Sequence, residues 1–164
     1  MQLTFYGACG EATGSNYVLE SNGIKIMIDC GLHQGGHYAE KENFEDFAYD
    51  PKEIAAVFIT HSHLDHIGRL PSLVKHGFTG AIYSTGATKD FAELMLIDSE
   101  HLLAGEALRE HKPVLYNEED VEKVMDQWKG LNYHQPVTVG GFKVELYDAG
   151  HILGSAIIHI EAEG

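Results

Sequence analysis

Short β-branched or aromatic runs separated by glycine open the chain: Leu3-Thr-Phe-Tyr6, Asn16-Tyr-Val-Leu19 and Ile24-Lys-Ile-Met-Ile28. Asn22-Gly23 between the last two is a hairpin signal, so the three runs predict a β-meander. An acidic, aromatic loop over 35–50 follows, and then the unbroken apolar run Ala55-Ala-Val-Phe-Ile59, entered through Asp50-Pro51. Five apolar residues without polar alternation predict a strand buried on both faces. Residues 64–76 have helical spacing, 81–84 read as a strand, and 87–103 as a long helix with Phe91, Leu94 and Met95 on its apolar face. A further helix begins at Asn117, whose side chain suits a cap while Glu118, Glu119 and Asp120 suit the positive first turn. The runs at 137–139, 142–147 and 156–160 return the chain to β. Strands on both sides of helices predict a layered α/β fold with mixed sheets, in one domain without repeats or linkers.

Composition narrows the class. The chain has 164 residues, 44% of them hydrophobic, enough for one sizeable core, which excludes disorder and fibrous structure. Eleven Lys and Arg against 25 Asp and Glu leave a formal charge of −14, which excludes a basic module that coats nucleic acid. No apolar run approaches the roughly 18 residues that cross a bilayer. The N-terminus lacks a secretory leader pattern, so a soluble, cytoplasmic protein with no membrane partner is expected. Cys9 and Cys30 form neither a disulfide framework nor a Cys-x-x-Cys clip and are expected as small buried hydrophobes. The last ten residues read as a strand running into a turn, as if the chain stopped mid-fold.

Histidine is the anomaly, because eleven His equal the whole Lys and Arg count. The excess concentrates at the end of the buried strand in Thr60-His61-Ser62-His63-Leu64-Asp65-His66. In an extended segment residues i and i+2 point the same way, so His61 and His63 can present two imidazoles to one point. Asp65 and His66 open the next helix and can reach a second point, at the separation of about 3.5–4 Å used by two-metal hydrolytic sites. A catalytic zinc keeps a coordination position for water, and a third protein ligand is offered by His151, between Gly150 and Gly154 after a later strand. Asp29, ending the strand at 24–28, is either a carboxylate that fixes an imidazole tautomer or a plain turn residue. His33, His37, His76, His101, His111, His134 and His159 have no partner spacing and read as surface or satisfied core histidines. Tyr38, Phe44, Phe47 and Tyr49 have the chemistry to stack a base, but packing under the loop is the simpler expectation.

These residues resemble a known family. His61-Ser-His63-Leu-Asp65-His66, with Asp29 upstream and Ala149-Gly-His151 downstream, resembles the metallo-β-lactamase superfamily. More narrowly, Gly7-Ala-Cys-Gly-Glu-Ala-Thr-Gly-Ser15, Asp29-Cys-Gly-Leu-His-Gln-Gly35, His66-Ile-Gly-Arg-Leu-Pro71 and Ala149-Gly-His-Ile-Leu-Gly-Ser-Ala156 resemble its β-CASP branch of RNA-processing nucleases. The resemblance implies an αββα sandwich and a two-zinc phosphodiesterase. It also implies that residues 1–164 are the N-terminal part of the lactamase-like domain, without the β-CASP insert, the C-terminal part or the aspartate that bridges both metals. Carried over by position, His61, His63 and His151 hold one zinc, Asp65 and His66 the other, with Asp65 also catalytic and Asp29 supporting from behind. One zinc is expected firmly in this chain and two in the complete protein. RNA is the implied partner of the complete protein, with homodimerisation open, as are endo- versus 5′-exonuclease action, RNA preference and the role of His33. Two other readings stay open: a small-molecule metallohydrolase (thioesterase or lactonase, glyoxalase II-like), and a non-catalytic scaffold of an RNA-processing complex.

Overall fold

The computed structural model describes residues 1–35 and 41–162; His37 and Tyr38 lie outside the described residues. Strands β1 (Gln2–Phe5), β2 (Tyr17–Ser21) and β3 (Ile24–Ile28) form the expected antiparallel meander, with Asn22 and Gly23 both at positive φ in the tight turn. The central apolar run becomes β4 (Ile54–Phe58), preceded by a 3₁₀ turn at Pro51–Glu53 that Asp50 caps. From β3 onward the pairing is parallel: β4 lies beside β3, β5 (Ala81–Thr85) beside β4, and β6 (Trp128–Leu131) beside β5, closing a six-stranded sheet. Strands β7 (Val137–Val139), β8 (Phe142–Asp148) and β9 (Ala156–Ala162) form a separate antiparallel sheet. The sequence pattern missed β6, because its four residues, Trp-Lys-Gly-Leu, carry no two-residue alternation and a glycine that weakens strand propensity.

Burial on both faces of β4 divides the interior in two. Val57 faces a core built with Met27, Ile82, Leu70, Leu73, Leu96 and Val124, between the large sheet and the helices. Ala56 and Phe58 face the other way, onto Leu19, Ile26, Phe142 and Val144, so this second core lies between the two sheets. The layers are thus helices, six-stranded sheet and three-stranded sheet. The outer face of the small sheet carries exposed Lys143, Tyr147, Ile157, His159 and Glu161, and among the described residues no helix covers it.

Two helical expectations need correction. The helical stretch at 64–76 is two helices, α1 (Leu64–Ile67) and α2 (Leu70–Lys75), because the intervening backbone turns to bond the loop after β3. The Cys30 amide donates to the His66 carbonyl at 2.8 Å, and the Arg69 amide donates to the Cys30 carbonyl at 2.9 Å. The long helix, α3 (Gly86–Glu110), extends beyond both predicted ends and buries Thr88, Ala92, Leu96 and Ser99. Phe91, Leu94 and Met95 face outward instead. The core-facing stripe is mostly small side chains, with Leu96 the one large residue on it, because close packing against the core fixes which positions have room. Helix α4 (Glu118–Gln127) starts as expected, with Asn117 and Asp120 in a reciprocal capping box. Cys30 is buried, its thiol pushed up to about 12 by loss of water, whereas Cys9 is exposed on the β1–β2 loop, against expectation. Phe47 and Tyr49 pack on the core under their loop, and Phe44 is exposed.

The corrected helix face is testable. Leu96→Ala should lower unfolding free energy by about 2–5 kcal/mol in urea titration, whereas Leu94→Ala should stay within about 0.5 kcal/mol of the parent.

Candidate metal centre

The large sheet delivers its chemistry at the C-terminal ends of two adjacent parallel strands, where an open α/β sheet places its ligand groups. Asp29 follows β3 and Thr60-His61 follows β4. Asp29 adopts a left-handed backbone conformation, φ +56°, which turns the chain sharply and aims its carboxylate at β4. That carboxylate is 1% exposed and accepts three hydrogen bonds: from the Thr60 amide to Oδ1 at 2.8 Å, and from the Thr60 hydroxyl at 2.8 Å and His66 Nδ1 at 2.7 Å to Oδ2. Because the Thr60 hydroxyl donates to Asp29, its oxygen is left to accept from His61 Nδ1 at 2.9 Å. The network assigns the protons of His61 and His66 to Nδ1, so the Nε2 atoms of both rings are available as ligands. Thr60 was given no role in the sequence reading; a hydroxyl residue directly before the first His was the available signal.

His61 Nε2 lies 3.1 Å from His63 Nδ1, and His151 Nε2 lies 3.4 Å from the same His63 atom. The three imidazoles stand roughly edge to face, with ring centroids 4.7–5.1 Å apart. One nitrogen from each falls within 4.8 Å of the others, a spacing compatible with a single shared ion. His61 is buried while His63 and His151 are exposed, which leaves an open side facing solvent. Asp65 Oδ2 is 3.5 Å from His66 Nε2, beside the triad. His151 reaches the cluster from the other sheet. Its loop is closed by Ser155 Oγ, which accepts from the His151 and Ile152 amides at 3.1 and 3.2 Å. The Thr85 and Thr88 hydroxyls anchor it to β5 and α3 by donating to the Gly154 carbonyl at 2.7 and 2.9 Å. Gly154 sits at φ +83°, and a Cβ there would meet the Thr88 amide at 2.8 Å, so glycine is required on both counts. The Ala156 amide then donates to the Thr60 carbonyl at 2.7 Å, joining the two sheets directly at the site.

Electrostatics separates the histidines. Burial, reinforced by the neighbouring imidazoles, lowers His61 to about 4, so its ring is neutral and its lone pair free at neutral pH. Burial alone would also lower His66, but the hydrogen bond and the charge of Asp29 outweigh it and raise its pKa. Burial raises that of Asp29 itself, against the pull of His66 and Thr60. A neutral His61 whose tautomer Thr60 fixes from behind, converging with His63 and His151, forms a donor set that fits zinc or a similar divalent ion, with ligand atoms to spare in Asp65 and His66. Of the other histidines, His76, His101, His111, His134 and His159 are exposed. His33 departs from expectation: it is buried, yet its Nδ1 makes no hydrogen bond among the described residues.

Comparison with known proteins gives the family and the fold. Residues 18–164 match the profile described as "Metallo-beta-lactamase superfamily domain". Ribonuclease TTHA0252 of Thermus thermophilus is 37% identical over 164 residues, covering 100% of this chain and 36% of that protein. Cleavage and polyadenylation specificity factor 73 of Drosophila melanogaster is 37% identical, covering 100% of this chain and 23% of its own length. Transcription termination factor FttA of Methanosarcina mazei is 34% identical, with coverages of 97% and 25%. The chain thus spans a quarter to a third of the relatives it matches. Among solved structures, the metallo-beta-lactamase fold protein YhfI from Bacillus subtilis superposes with a TM-score of 0.57 at 18% identity, over 97% of this chain and 56% of that one.

In the metal-free protein, NMR titration should find His66 protonated to a higher pH than an ordinary histidine and His61 neutral down to about pH 4. Since the folded state resists protonating His61, its contribution to stability is intact above pH 6.5 and lost as pH falls toward 4. Asp29→Asn, which retains the left-handed turn, should abolish the upward displacement of His66 and weaken metal binding about 10–100-fold.

Proposed function

This chain belongs to the metallo-beta-lactamase superfamily, in its β-CASP RNA-processing branch, and on that premise we propose that it is the N-terminal part of a metal-dependent hydrolase of RNA phosphodiester bonds. The observation that carries this reading is the convergence of His61, His63 and His151, drawn from two different sheets, on one point beside Asp65 and His66. Residues 1–164 are assigned to the lactamase-like domain, with the β-CASP insert and the C-terminal part supplied by further chain. The share of each relative's length that is covered supports this division. Cytoplasmic location goes with this reading; no described helix is long and apolar enough to cross a membrane.

In this assignment the metal is zinc: His61, His63 and His151 hold one ion, and Asp65 and His66 contribute to a second. When bound, the metal supplies Lewis-acid stabilisation of negative charge on phosphate oxygens and lowers the pKa of water toward neutrality. The protein's own groups prepare that chemistry. Asp29 and Thr60 hold His66 and His61 in the ligating tautomer, so no ring has to rotate or exchange a proton between its nitrogens when metal enters. Asp65, half-exposed beside the triad, is placed to accept a hydrogen bond from the attacking water and so fix its direction. The exposed side of His63 and His151 gives a polymer access. With a formal charge of −14 the chain repels RNA at long range, so a local dication is what attracts a phosphate here. Thioester or lactone hydrolysis would use the same centre, but the relatives' names, a ribonuclease and a polyadenylation factor among them, favour RNA.

His61→Ala combined with His63→Ala should remove one equivalent of bound zinc by metal analysis. In the full-length protein it should lower cleavage of a labelled RNA at least about a thousandfold, the scale on which removing a central catalytic group acts. Unchanged zinc content would refute the ligand assignment. Cleavage by the 164-residue chain as fast as by the full-length protein would refute the division into parts.

A further inference from the structure

A second set of metal-type donors lies apart from the histidine centre and shares no residue with it. His33 Nδ1 faces Glu42 Oε2 at 3.1 Å and Glu11 Oε1 at 3.6 Å, and the three donor atoms lie within 4.8 Å of one another. His33 is 8% exposed, and although Glu42 is near, the ring nitrogen Nδ1 forms no hydrogen bond among the described residues. A buried polar nitrogen left without a partner costs about 1–3 kcal/mol, so the arrangement calls for an occupant. The ring is also held in place. The His33 amide donates to Asn43 Oδ1 at 2.8 Å, and Asn43 Nδ2 donates back to the His33 carbonyl at 2.9 Å. On the other side the ring lies against Gly14, where an added Cβ would come within 2.6 Å of it.

The surroundings select the charge of the occupant. The three donor residues line a cavity of about 280 Å³ that Glu45 and Asp46 also line. The lining therefore holds four acidic residues against one basic residue, Arg69. Two more buried atoms of residues that line the same cavity, Asn16 Oδ1 and Arg69 Nε, have no hydrogen-bond partner among the described residues either. The volume is several times the roughly 30 Å³ share of one water, room for an ion with part of its hydration shell. One imidazole nitrogen, two carboxylate oxygens and no thiolate suit a first-row divalent ion such as Mn²⁺ or Zn²⁺.

We propose that Glu11, His33 and Glu42 form a second, independent divalent-cation site. Its place in the fold gives it a bracing role. Glu11 belongs to the β1–β2 loop, and His33 and Glu42 to the segment leaving β3. These two segments carry the backbone on which the histidine centre leans: Gly31 N–H donates to the Ser15 carbonyl and Ser15 N–H to the Asp65 carbonyl, each at 2.9 Å. A cation tying Glu11 to His33 and Glu42 holds those loops against Asp65.

The test follows Mn²⁺ binding by electron paramagnetic resonance in the full-length protein carrying His61→Ala and Asp65→Ala, which takes a ligand from each of the two ion positions of the histidine centre. One saturable Mn²⁺ should remain and raise the melting temperature on binding. Adding Glu42→Gln, at a half-exposed side chain, should weaken that binding at least about tenfold. Glu45→Gln, in the same cavity but outside the donor set, should change it far less. If the double variant resists folding, the comparison is made in the unsubstituted protein, where Glu42→Gln should cost one equivalent of Mn²⁺. Absence of a saturable ion, or binding indifferent to Glu42→Gln, would overturn the proposal. Neither result bears on the ligand roles of His61 and His63, which the zinc analysis tests separately.

Discussion

The buried carboxylate of Asp29 is the constraint on which the centre depends. A charge removed from water is costly unless its lone pairs are filled by donors. At 1% exposure Asp29 fills them with the Thr60 amide, the Thr60 hydroxyl and His66 Nδ1. Each donor sits on the segment that leaves the neighbouring strand, so satisfying one acid fixes where that segment starts, which way its hydroxyl points and which nitrogen of His66 carries the proton. The tautomer of His61 then follows through Thr60. A single folding requirement thereby becomes a pair of aligned imidazoles.

The second requirement is the packing of two sheets. Phe58 on β4 and Phe142 on β8 are fully buried in the core between them, and this core brings the β8–β9 turn over the end of β4. One backbone hydrogen bond, Ala156 to Thr60, locks the approach within a few residues of His151 and His61. The centre is therefore a seam: one half is built by the large sheet, the other carried in by the small one, and an ion placed there would cross-link the two. Loosening the inter-sheet core should disturb His151 before it disturbs His61 or His63, because those two share one short segment. The second acidic cluster lies elsewhere, on the β1–β2 loop and the segment leaving β3, so bracing at Glu11, His33 and Glu42 acts on the backbone that follows Asp29.

The sequence by itself determined the ligand-rich segment and most of the elements around it. Three histidines and an aspartate within six residues, directly after an unbroken apolar run, can be read without coordinates because neighbouring residues on a strand have a fixed relative direction. The Asn22-Gly23 turn, the doubly buried strand β4 and the Asn117 cap were legible for the same reason, each being a property of a few consecutive residues. Only the tertiary structure decided the rest. Whether Asp29 was a support or an ordinary turn depended on Thr60 and His66, 31 and 37 residues away. Which stripe of α3 faces inward depended on where close packing against the core leaves room, and there small Thr88 and Ala92 displaced the large apolar residues that periodicity alone favoured. The role of His33 stays open in the sequence because its partners, Glu11 and Glu42, are joined to it by no local spacing. Periodicity and local chemistry are carried by adjacent residues, whereas burial, proton placement and ligand convergence are set by groups that only the folded chain brings within a few ångströms of one another.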